Sequence, residues 1–192
     1  GRCRHCRSYI PTRYLWVEAT TALGFATIYW HTGLTLALPL ELLLFASLLV
    51  ITVYDLAHFI IPNELSITVG LLAFALFVVE AGGVPSVSAL FSAGLAGGLV
   101  FGVLGGLWYV SKGQWLGLGD AKLALPLGFL LGPAGAFTFF VLSFWIGAIV
   151  SVAIIGAQFL CNRGQVVLAK RWRPITIKSE VPFAPFMVAA FL

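Results

Sequence analysis

The chain has 192 residues, 60% of them hydrophobic and 9% charged, with a mean hydropathy of +1.03. An ordinary soluble domain carries about 25% charged residues, so this composition excludes that class and indicates an all-α, polytopic helical bundle whose solvent is mostly the lipid bilayer. The net charge of +4, from 11 Lys and Arg against 7 Asp and Glu, is read first as membrane orientation, and nucleic acid is not an expected partner.

In chain order, the opening "GRCRHCRSYI" has no initiator Met and no apolar signal-peptide core behind its arginines. The chain ends partway through the apolar run "VPFAPFMVAAFL", so it reads as a fragment, truncated at its C-terminus. Cys3 and Cys6 form a C-x-x-C pair, which suits a metal or redox site better than a disulfide framework. Cys161 stands alone at an expected helix end and reads as a buried thiol. A membrane helix needs about 20 mostly apolar residues. Candidate spans are 15–32, 36–56, 64–80, 87–110, 117–132, 135–160 and one beginning near 181, about seven in all. The breaks between them are turn-like: "HTG" at 31–33, "IPN" at 61–63, "AGGVPS" at 81–86, "SKGQ" at 111–114 and "GPAG" at 132–135. The expected organisation is a short cysteine segment, 1–14, followed by a transmembrane domain, 15–192. The one long polar stretch is 161–180.

The basic residues sort to one side of these spans. Arg2, Arg4, Arg7 and Arg13 precede the first. Lys112 lies between the fourth and fifth, and Lys122 just inside the fifth. Arg163, Lys170, Arg171, Arg173 and Lys178 lie between the sixth and seventh. With a cytoplasmic N-terminus all 11 fall on or near the cytoplasmic side, as the positive-inside rule requires.

Two aspartates stand at that same face. Asp55, in "YDLAHFIIPN", ends the second span; Asp120, in "GLGDAKLALPLGFLLG", begins the fifth. From Leu123 to the Gly132 break there is only about 14 Å of helix at 1.5 Å per residue. The fifth span therefore needs Asp120 and Lys122 inside it. An acid within a membrane helix costs about 2.5–3.5 kcal/mol on insertion scales, so each carboxylate needs a reason. Asp120 could cap its own helix and sit at the positive end of the dipole. Asp55 stands at a helix C-terminus, where the dipole opposes it; a pairing with Lys122 or Lys112 is the simpler alternative, and His58 lies one turn away. Two carboxylates in one water-accessible pocket do not both ionise easily, so one serves as base toward a water and the other as acid toward a peptide carbonyl. Gly117 and Gly119 suit this chemistry, because glycine admits the close approach of an extended substrate strand; a flexible loop before a helix is the plainer explanation.

These motifs resemble the type IV prepilin peptidase family, intramembrane aspartic proteases with a G-x-G-D motif. "GRCRHCRSYIPTRYLWVE" is similar to part of the family's cytoplasmic cysteine module. "YDLAHFIIPNEL" and "GLGDAKLALPLGFLLG" resemble its two aspartate motifs, and "VPFAPF" its terminal Pro-Phe-Gly-Pro-Phe element. The resemblance implies Asp55 and Asp120 as the catalytic pair, with Gly117, Gly119, Lys122, Pro182 and Phe183 binding substrate or supporting the site. It implies prepilins or pseudopilins as substrates, cut at the cytoplasmic face of the bacterial inner membrane, with no cofactor for proteolysis. In full-length members it further implies N-methylation of the new N-terminus with S-adenosylmethionine. Cys3 and Cys6 would be half of a structural zinc site, which wants four ligands. Three departures stand out: Leu15 replaces a Pro, Ala184 replaces the glycine of the terminal element, and the first C-x-x-C pair is absent from this sequence. Glu18 resembles a position linked to methylation, with a first-turn helix acid as the simpler reading. The alternative of another class is a proton- or cation-coupled transporter using Asp55, Asp120 and Lys122 as a relay. Such sites favour the bilayer midplane and repeat symmetry, neither of which the sequence shows.

Overall fold

The computed structural model of the chain describes residues 1–2, 4–9, 11–162 and 182–192, and of 158–162 only the backbone. Cys3, the side chain of Cys161 and the basic residues Arg163, Lys170, Arg171, Arg173 and Lys178 lie outside the described residues.

Six helices are described: α1 (Thr12–Thr32), α2 (Leu38–His58), α3 (Asn63–Glu80), α4 (Val87–Ser111), α5 (Leu118–Asn162) and α6 (Ala184–Phe191). Among the described residues, four helices are long and apolar enough to cross a membrane: α2, α3, α4 and α5 as far as Ala157. This is an all-helical membrane protein. One expectation about the spans changes. The segment 15–32 is helical but is not one of those four. The spans expected at 117–132 and 135–160 are two helices that meet at a kink within α5. Gly132 (φ 68°, ψ −177°) breaks the helical backbone there, and Pro133 follows. The chain bends at that glycine and resumes its helix without an intervening loop.

Local rules set several of the helix ends. Ser86 caps α4, its hydroxyl accepting from the N–H of Ala89 at 3.2 Å. Gly33 closes α1 at φ 64°, its N–H donating to Tyr29 O at 2.9 Å. Phe59 closes α2 in the left-handed region (φ 57°, ψ 32°), donating to Asp55 O at 2.8 Å. A bulky residue there is unusual, because a left-handed conformation costs about 1–2 kcal/mol for an L-residue.

α5 is the hub, packed against α3, α4 and α6, while α2 touches α1, α3 and α6. Lipid supplies little hydrophobic drive between helices, so close packing and small residues must hold them. At the α4–α5 crossing, a Cβ on Gly97 would lie 2.4 Å from Leu125 O, and one on Gly128 would lie 3.1 Å from the Cα of Gly97. Nothing larger than glycine fits between those backbones. The core joins Leu48 and Ile51 of α2, Val69 and Leu76 of α3, Leu104 of α4, Leu123, Leu127 and Phe139 of α5 and Met187 of α6. α1 has no buried residue. It leans on α2 through Phe25, edge-on to Phe45 with ring centroids 6.1 Å apart. At its start, an antiparallel bridge between Arg2 and Tyr9 closes the N-terminal segment around Cys6.

Candidate active site

The two aspartates arrive from elements 65 positions apart in sequence and both become buried, Asp55 at 5% exposure and Asp120 at 8%. Their carboxyl groups interact electrostatically across the α2–α5 gap.

Each carboxylate is held by a backbone N–H at a helix start. Asp120 is the third residue of α5, and its carboxyl reaches back to the N–H of Gly117, the acid's half of a capping box. The backbone turns tightly there, with Asp120 N–H donating to Gly117 O at 3.2 Å. Asp120 thus does what its simpler reading requires, and lies within electrostatic reach of Asp55 as well.

Asp55 has a partner that sequence reasoning missed. Its Oδ2 accepts the backbone N–H of Ala184 at 3.2 Å, and Ala184 is the first residue of α6. The first turn of α6 has few donors to offer. Pro185 has no N–H, and the N–H groups of Phe186 and Met187 both donate to Phe183 O. The Ala184 N–H goes to Asp55. A carboxylate that its own helix dipole opposes is thus placed at the favourable end of another helix. The signal in sequence was the Pro-Phe-Ala-Pro spacing, which marks a helix start with one free donor.

Two of the other expected partners of Asp55 are engaged elsewhere, and the third is exposed. His58 stacks on Tyr54 with ring centroids 4.3 Å apart, its Nδ1 3.2 Å from Tyr54 O. Lys122 is exposed, and its Nζ donates to Asn63 Oδ1 at 2.9 Å. Lys112, the C-cap of α4, is exposed with φ 52°.

The glycines before Asp120 stand close to this chain's own atoms. A Cβ on Gly117 would lie 3.2 Å from Asp120 Oδ2, and one on Gly119 would lie 3.0 Å from Ile61 Cβ. Side chains larger than glycine would crowd both places. Pro182 and Phe183 lead into α6, and Phe183 packs on Phe144 with ring centroids 5.1 Å apart. They support the helix start that carries the Ala184 donor. Ala184 itself is fully buried, so its methyl is accommodated where the resembled family has glycine.

Glu18 is exposed and lies beyond the first turn of α1, which holds no acid. Cys6 is exposed, with Sγ 3.0 Å from Ser8 Oγ. Among the described residues no three His, Cys, Asp or Glu side chains gather as a metal site. A structural zinc wants four ligands, which the two thiols of Cys3 and Cys6 do not supply by themselves.

Comparison with known proteins bears on this geometry. The sequence pattern of the Type IV leader peptidase family matches residues 42–152, the segment that carries both aspartates. That of the Bacterial Peptidase A24 N-terminal domain matches residues 1–32. The chain is 30% identical over 202 residues to a prepilin leader peptidase/N-methyltransferase of Pseudomonas aeruginosa, covering 99% of this chain and 60% of that protein. It is 30% identical over 191 residues to the protein of that name from Aeromonas salmonicida, with 99% and 60% covered. To the protein of that name from Bacillus subtilis it is 30% identical over 194 residues, with 98% and 68% covered. The chain thus spans 60% of the length of the first two relatives. No solved structure matches it.

Proposed function

The chain belongs to the type IV leader peptidase family, and on that premise we propose that it is the membrane-embedded peptidase that removes the leader of type IV prepilins or pseudopilins. The observation that carries this reading is the burial of Asp55 and Asp120 together, each held by a backbone N–H, with the charge of Asp55 acting on Asp120.

A water bound between the carboxyl groups is the nucleophile. One aspartate, ionised, takes a proton from the water as its oxygen attacks the scissile carbonyl carbon. The other, protonated, gives its proton to the carbonyl oxygen, leaving a neutral tetrahedral diol. Collapse of the diol breaks the C–N bond. The proton gained in the first step passes to the departing amine while the other aspartate takes a proton back from a diol hydroxyl, so the pair returns to its singly protonated state. The Ala184 and Gly117 N–H groups steady the carboxylates through the cycle. No metal enters these steps.

The basic residues, expected on one side of the membrane, favour cleavage at the cytoplasmic face of the bacterial inner membrane. A cysteine at Lys112 is then labelled from the cytoplasm and one at Gly83 from the opposite side. Zinc held partly by Cys3 and Cys6, and S-adenosylmethionine-dependent methylation of the new N-terminus, as in full-length members of the family, belong to this proposal. So does the division into a 1–14 cysteine segment and a 15–192 peptidase domain. The direct test is to incubate the membrane-embedded protein with a panel of prepilins and read leader removal by mass. Absence of cleavage across the panel, with the protein folded, would refute the reading.

A further inference from the structure

We propose that Ile61 is a positioning residue for the aspartate pair: seated against the bare Cα of Gly119, it sets the separation of Asp55 and Asp120. The inference rests on the peptidase reading and deepens it.

The chain path makes the case. After Asp55, α2 runs one more turn and reverses at Phe59, whose left-handed backbone is tied to Asp55 O at 2.8 Å. Two isoleucines follow with opposite fates, Ile60 at 64% exposure and Ile61 at 9%. Pro62 then fixes the backbone, and Asn63 opens α3. Ile61 points inward onto the turn that precedes Asp120. A Cβ at Gly119 would lie 3.0 Å from its Cβ, 3.4 Å from its Cγ1 and 3.5 Å from its Cδ1. Three carbons of the Ile61 side chain crowd the place a Cβ would take, so the glycine is a seat for it.

A second tie repeats the contact a few residues on, where Asn63 Oδ1 accepts from Lys122 Nζ at 2.9 Å. Residues 61 and 63 are thus fastened to 119 and 122. The first segment begins six residues after Asp55, and the second brackets Asp120. Asp120 is itself locked to its turn through Gly117. Any movement of residue 119 relative to 61 is therefore transmitted to the carboxyl pair. An isoleucine that only filled a core would contribute to stability and leave that separation alone.

The test uses the chain in membranes with a cleavable prepilin. Ile61→Ala, which empties the seat, and Gly119→Ala, which overfills it, should each lower kcat about tenfold with KM unchanged, since misplacement by about 1 Å costs up to about a hundredfold. The double variant should recover to within about threefold of the parent, because neighbouring volume changes couple. There the added methyl occupies space that Ile61 vacates, and the remaining Cβ contact needs a few tenths of an ångström of give. The spacing between the two limbs of the pH–kcat profile should change in each single variant and return in the double. That spacing reports the interaction between the carboxyls, which a loss of stability alone does not alter. Losses that simply multiply, with an unmoved pH profile, would overturn the proposal. If Gly119→Ala fails to accumulate, Ile61→Val decides alone: a shifted spacing supports the proposal and an unshifted one overturns it. Asp55→Asn and Asp120→Asn run alongside. If they keep cleavage, the peptidase reading falls and takes this inference with it. If they abolish cleavage while the Ile61 and Gly119 variants behave independently, only the positioning role is lost.

Discussion

The bundle holds two pairs of acids, and they are treated in opposite ways. Asp55 and Asp120 are buried and take backbone N–H groups from two helix starts. Glu41 and Glu80, on α2 and α3, also interact with each other, but Glu41 is half-buried and Glu80 exposed. Glu41 accepts from the Thr32 hydroxyl and lines a 580 Å³ cavity with His31 and Phe45. Glu80 lines an adjoining cavity of 220 Å³. Side-chain partners and open space leave the glutamates free to rearrange. Backbone donors leave the aspartates little choice, and fixed geometry is what acid–base chemistry demands. Pairing of acids is common to both ends; burial on rigid donors belongs to one.

The sharpest way to break the comparison is to neutralise the aspartates. Asp55→Asn and Asp120→Asn should each reduce leader cleavage by about 10³-fold or more, the scale for losing a group that acts as part of a catalytic unit. The double variant should be no worse than the more damaging single. In the parent, cleavage should fall at low pH, where both carboxyls are protonated and no base remains, and at high pH, where both are ionised and no acid remains. Substantial cleavage by either Asn variant, measured by product mass, would leave the pair with no more claim to catalysis than the glutamates.

Removing the donor while sparing the acid should have the next largest effect. Ala184→Pro deletes the N–H that Asp55 Oδ2 accepts, at a first helical position whose N–H no helical bond needs, although it disfavours the αR backbone of Phe183. A hydrogen bond to a charged group contributes about 1.5–3 kcal/mol, so kcat should fall about 10- to 100-fold. Ala184→Gly, which keeps the N–H, should stay near the parent. Equal losses in both would show that the methyl of Ala184 matters and its donor does not.

At the other end of the bundle, Glu41→Gln and Glu80→Gln should change cleavage by less than about threefold. Thr32→Val, which removes the hydroxyl donor to Glu41, should cost about 1 kcal/mol of stability, the usual net value of a hydrogen bond. A collapse of cleavage in either Gln variant, with the protein folded, would make the two acid pairs one functional unit. The smallest effect is expected at the cysteines. Replacing Cys3 and Cys6 with serine should leave cleavage of a short, prebound substrate within about twofold, because thiolates on the proposed structural zinc would fix local shape and take no part in bond breaking.

Much of this was legible in the linear sequence. Apolar runs of membrane length are dictated by the bilayer, and turn residues punctuate them, so α2, α3 and α4 begin and end within a few residues of their expected bounds. The nine residues from Leu123 to Leu131 were too few to span, which put Asp120 and Lys122 inside α5, where they are. The capping role of Asp120 could be read from its place at a helix start. The chain alone also showed that Asp55 needed compensation, since a carboxylate at a helix C-terminus has the dipole against it. What it could not show was where the compensation came from. The Ala184 donor lies 129 positions away, and only the packing of α6 between α2 and α5 delivers it. Gly117 and Gly119 likewise announced a close approach without saying to what. Glycine marks the need for space, whereas its occupants, Asp120 Oδ2 and the Ile61 side chain, are fixed by helices meeting in three dimensions. Local chemistry fixed the spans, the caps and the two acids; the partners of those acids depend on contacts between distant segments, which no local pattern encodes.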